Sequence, residues 1–115
     1  MDDRLEKALA FSQYRASIEN RKKALARRFK NMLVVHHSNG IFCADSATIG
    51  FVAALIADKH TDAILIDDRG NTVQIDDLAE LKTNLMSAYF AATNEYSVEM
   101  AKLAKARNVK KAMDW

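Results

Sequence analysis

The 115-residue sequence has no proline, one cysteine, one tryptophan and only three glycines. Without proline or low-complexity tracts, it offers no linker between separate modules. A lone thiol, Cys43, has no partner for an internal disulfide, so nothing in the composition calls for an oxidising compartment. The longest apolar stretch, 47–57, is 11 residues long, whereas a membrane-spanning helix needs about 20. The start, MDDRLEKAL, is acidic and then amphipathic, unlike the basic and then apolar start of a signal peptide. These absences predict a soluble, cytosol-made protein with no membrane partner.

What is present is ordinary for a folded chain: 50% of residues are hydrophobic and 28% charged. The length predicts a single domain, 1–115. The net charge is +2, but residues 1–30 carry nine Lys/Arg and four Asp/Glu, residues 31–101 three and ten, and residues 102–115 five and one. The ends are therefore basic and the middle acidic. Three readings stay open for this pattern: solvated helix faces, charge-matched assembly, or nucleic-acid contact.

Periodicity sets the elements. Leu5, Phe11, Tyr14, Ile18, Leu25, Phe29 and Met32 are read as one stripe of a helix over 3–31. A hairpin follows, with strands 33–37 and 41–44. Asn39-Gly40 is the expected two-residue turn, since a type I′ turn needs positive φ at both positions. That register sets His37 opposite Phe42 and His36 opposite Cys43, with Val35, His37, Phe42 and Ala44 on one face. Asp45 or Ser46 is expected to cap a helix over 46–58, whose buried stripe is Ile49, Val52, Leu55 and Ile56. A second hairpin is expected from strands 63–66 and 72–75 around the turn Asp67 to Asn71. Asp77, with Glu80 three residues on, resembles a capping box; Asp76 is the alternative cap. The last helix, about 77–110, carries Leu78, Leu81, Leu85, Tyr89, Ala92, Tyr96, Met100, Leu103 and Arg107 at a 3.6-residue period. The expected fold class is α+β, in the order α-ββ-α-ββ-α, with a small antiparallel sheet of two hairpins and long terminal helices.

The stretches Asn39-Gly40-Ile41-Phe42-Cys43-Ala44-Asp45 and Asp68-Arg69-Gly70-Asn71-Thr72-Val73-Gln74-Ile75-Asp76 resemble a small tailed-bacteriophage domain family. That family occurs beside tail-fibre genes or within tail-fibre assembly proteins. Its members share an Arg-bearing helix, a glycine hairpin leading to a capped helix, and a second hairpin leading into a long helix. The resemblance spans residues 15–105. It implies a structural or tail-associated phage protein, present in the host cytoplasm during assembly and then in the virion. A tail-fibre assembly chaperone is the alternative within the family. A small basic nucleic-acid-binding protein is the alternative outside it.

Catalytic chemistry finds little footing. His36 and Cys43 make two metal-ligating side chains, short of the four that a structural zinc site usually takes. Asp67-Asp68 and Asp76-Asp77 fall in a turn and at a helix start, where aspartate has structural reasons to be. There is no glycine-rich phosphate loop. A non-enzymatic protein with no cofactor, no metal and no small-molecule substrate is expected. Arg21, Lys22, Lys23, Arg27, Arg28 and Lys30 are the expected partner-binding residues, because six cations in ten positions wrap most of a helix. Leu85, Tyr89, Tyr96, Met100 and Leu103 are the expected oligomer stripe, since so long a helix needs a partner surface. Trp115 is the expected terminal anchor on a partner.

Overall fold

The structure, a computed structural model, describes the backbone of residues 3–114 and the side chains of residues 3–106. Three helices and two hairpins follow in the expected α-ββ-α-ββ-α order: α1 (Asp3–Met32), β1 (Val34–His37), β2 (Gly40–Cys43), α2 (Ser46–Ala57), β3 (Ala63–Ile66), β4 (Thr72–Ile75) and α3 (Leu78–Asp114). The strands form two separate antiparallel pairs rather than one sheet. The chain divides into two compact units, one mixed (29–94) and one helical (1–28 with 95–115).

In the mixed unit, Leu33, Phe42, Ala44, Val52, Leu65, Val73, Ile75, Leu78, Leu81, Leu85 and Ala92 form one buried core. Each strand contributes through alternation: Leu65 on β3 and Val73 and Ile75 on β4 face in, while Ile64 and Ile66 face out. Both caps fall on aspartates. The Thr48 N–H donates to Asp45 Oδ1 at 2.8 Å and the Glu80 N–H to Asp77 Oδ1 at 3.1 Å, so Asp45 rather than Ser46, and Asp77 rather than Asp76, start the two helices. The C-terminus of α2 closes as a Schellman motif: the His60 N–H donates to the Leu55 carbonyl and that of Lys59 to Ile56. Lys59 itself takes a left-handed φ of 67°.

The first hairpin differs from expectation. Its turn is Ser38-Asn39, with φ of 50° and 69°, and Gly40 lies in the strand opposite His37. His36 therefore pairs with Ile41, and Cys43 with Val34. Gly40 does not have positive φ. The reason lies in the second hairpin: a Cβ on Gly40 would stand 2.7 Å from Val73 Cγ2 and 3.0 Å from Phe42 Cε2. The glycine is used for close approach, and Ser38 and Asn39 take the left-handed turn that Asn tolerates well. Val35, His37, Phe42 and Ala44 still share a face, because the shifted register changes each pairing by two residues.

Asp67 joins the hairpins. Its Oδ2 accepts the Ile41 N–H at 3.1 Å, and its Oδ1 accepts the N–H groups of Arg69 at 3.0 Å and Asn71 at 2.9 Å. The Asp68 N–H donates to the Ile41 carbonyl at 2.8 Å. Gly70, at φ 81°, supplies the left-handed position of the 68–70 loop.

In the helical unit, α1 and α3 run antiparallel. The Tyr14 hydroxyl donates to the Ala106 carbonyl at 2.7 Å, and Arg28 pairs with Glu95. Ile18 and Leu103, one from each helix, are buried. Leu5 departs from the expected stripe. It is 52% exposed, because the six-residue step from it to Phe11 turns it well away from that face at 100° per residue.

Candidate interaction surface

The cationic run on α1 is divided by the helical period. Lys23 and Arg27 point away from the stripe of Ile18 and Leu25, and Arg21, Lys22 and Arg28 flank it. Lys22 is half-buried and the others are exposed, as expected for a lysine whose stem lies along an apolar edge. Arg28 is held by Glu95. Among the described residues, Arg21, Lys22, Lys23 and Arg27 form no ion pair. Lys30, the sixth expected contact, belongs to the mixed unit.

Carboxylates of the mixed unit sort into two groups. Asp45, Asp67 and Asp77 accept backbone N–H bonds, and Asp58 lies 3.3 Å from His60 Nε2. Asp62, Asp68, Asp76 and Glu80 are exposed and, among the described residues, their side chains form no ion pair. Asp62 and Asp76 continue the β3–β4 register one step past Ala63 and Ile75. The Leu78 N–H bond to the Thr61 carbonyl, 3.0 Å, sets the start of α3, with Glu80 in its first turn, beside them. By sequence the mixed unit holds four Lys/Arg and eight Asp/Glu, a net −4. The helical unit holds thirteen and seven, a net +6.

The apolar stripe expected for oligomerisation is partly spent within the chain. Leu85 is fully buried in the mixed core and Leu103 is buried in the helical unit. Tyr89, Tyr96 and Met100 are half-buried. Trp115 and the side chain of Arg107 lie outside the described residues.

In the observed register Cys43 stands opposite Val34 and His36 opposite Ile41, so thiol and imidazole are not direct cross-strand partners. Burial first, and then the charges of Asp45 and Asp68, push the Cys43 thiol above its ordinary range. This disfavours the thiolate that nucleophilic chemistry requires. His37 Nδ1 lies 3.2 Å from the Asn84 amide nitrogen. No group of three or more His, Cys, Asp or Glu suited to a metal ion occurs among the described residues, and no described helix is long and apolar enough to cross a membrane. No family model, curated protein or solved structure matches this chain.

Proposed function

We propose that this chain is a structural or tail-associated protein of a tailed bacteriophage that works through subunit and partner contacts. The observation that carries the contact reading is the pair of opposite surfaces. Among the described residues, exposed Arg21, Lys23 and Arg27 stand on α1 without carboxylate partners, and exposed Asp62, Asp68, Asp76 and Glu80 stand on the mixed unit without cationic ones. Charge left unmatched within a chain is available to steer and orient association with another. The phage assignment rests on the resemblance of the two hairpin segments. Mass spectrometry of purified particles tests it. Stoichiometric presence in mature virions supports a structural role, and presence in the lysate with absence from particles supports the assembly chaperone. A basic helix also suits phosphate binding. Against that reading, the aromatic side chains near the run lie on the apolar stripe and supply no stacking platform among the cations.

A further inference from the structure

We infer that the outer face of α1, centred on Lys23 and Arg27 and edged by Arg21 and Lys22, docks the acidic corner of a second copy's mixed unit, formed by Asp62, Asp76 and Glu80. This contact deepens the assembly reading and rests on it. The four cations fall within seven residues, about 10 Å of helix, and none has an ion pair among the described residues. The same chain carries the complementary surface. Asp62 and Asp76 flank one end of the β3–β4 ladder, with Glu80 in the first turn of α3, and all three are exposed. Net charges of +6 and −4 on the two units make unlike units of two copies attract and like units repel.

The contact pairs unlike surfaces, so two copies that exchange it reciprocally close a two-fold dimer, whereas head-to-tail exchange is heterologous. Head-to-tail repetition either closes a ring or runs on as a filament. Exposed ion pairs give a weak, salt-sensitive contact, suited to a subunit that must be placed and not merely stored.

Charge exchange between copies tests the contact. One variant carries Arg21→Glu, Lys23→Glu and Arg27→Glu; the other carries Asp62→Lys, Asp76→Lys and Glu80→Lys. Asp77 and Arg28 are left alone, because one caps α3 and the other pairs with Glu95. In sedimentation velocity at roughly 20 mM salt, the parent is expected to show a concentration-dependent rise in sedimentation coefficient. At about 0.5 M salt, where the screening length is only a few ångströms, that rise should vanish. Each variant alone should stay monomeric, and an equimolar mixture should associate again, because the reversed α1 face of one meets the reversed corner of the other and their two unaltered surfaces still match. A parent that is monomeric at low salt overturns the proposal. So does a mixture that stays monomeric while circular dichroism shows both variants folded. Lysines near the start of α3 oppose the helix dipole. If that variant unfolds, Asp62→Asn, Asp76→Asn and Glu80→Gln replace it. Folded and monomeric at low salt supports the contact, and folded and still associating overturns it. A monomeric parent found stoichiometrically in purified particles removes this contact and leaves the assembly reading standing.

Discussion

Asp67 accepts the backbone N–H of Ile41 at 3.1 Å through Oδ2, so a carboxylate in the turn of one hairpin satisfies the strand of the other. With two more N–H bonds on Oδ1, the side chain serves as a three-way junction in the mixed unit. The Ile41 and Asn71 N–H groups, in that order, and then Arg69, hold its carboxyl below the usual carboxylate range against the opposing effect of burial. Asp45 is lowered in the same way, chiefly by the Thr48 N–H. Folding therefore favours the ionised forms. The stability they contribute is complete above the unfolded-chain value, roughly pH 4, and is lost as pH falls through the lower folded values. Asp67→Asn should lower the urea midpoint at pH 7 and flatten the loss of stability on the acid side. Parallel stability–pH curves for variant and parent would remove Asp67 from this role. Asp45→Ala should cost about 1 kcal/mol as a lost cap.

Gly40→Ala places a methyl 2.7 Å from Val73 Cγ2. Gly→Ala in a tolerant strand gains up to ~1 kcal/mol through the unfolded chain. Here the overpacking, roughly 1–3 kcal/mol, should dominate and destabilise the protein. Val73→Ala makes room, so the double variant should be more stable than the sum of the two single losses predicts. Equilibrium urea unfolding of the four proteins measures this. Strict additivity would mean that the two side chains do not meet.

Two residues of the α2 region run against local preference in opposite senses. Gly50 sits in the helix, where an added Cβ would have nothing within 4 Å, whereas Lys59 occupies the left-handed position after it that glycine favours. Gly50→Ala should stabilise by about 1 kcal/mol, and Lys59→Gly by roughly 0.5–1 kcal/mol once its added unfolded-state freedom is subtracted. Thermal melts should show both as raised midpoints. A lowered midpoint for Lys59→Gly would place the cause of that φ elsewhere.

Local chemistry was legible in the sequence. The aspartate caps, the loop ending at Gly70 and the inward faces of β1 to β4 follow from alternation and turn preference, which depend on near neighbours. The first hairpin's turn was not legible, because both registers keep Val35, His37, Phe42 and Ala44 on one face. Only Val73, 33 residues beyond Gly40, decides between them. Lys59 gave no glycine signal for its left-handed backbone. Among the cations, the run itself was plain, but the pairing of Arg28 with Glu95 joins residues far apart in the chain. The use of Leu85 and Leu103 as internal packing likewise needed the tertiary structure.

The central claim is that the cationic face of α1 meets protein rather than nucleic acid, and a filter-binding titration tests it most directly. Duplexes of unrelated sequence are titrated with the parent at about 50 and 200 mM salt, a span over which a protein making several phosphate contacts loses orders of magnitude in affinity. No measurable binding is expected at the higher salt, and at most weak binding at the lower. Submicromolar affinity at the lower salt that collapses at the higher, and that disappears when Arg21, Lys23 and Arg27 are replaced by Gln, would contradict the claim.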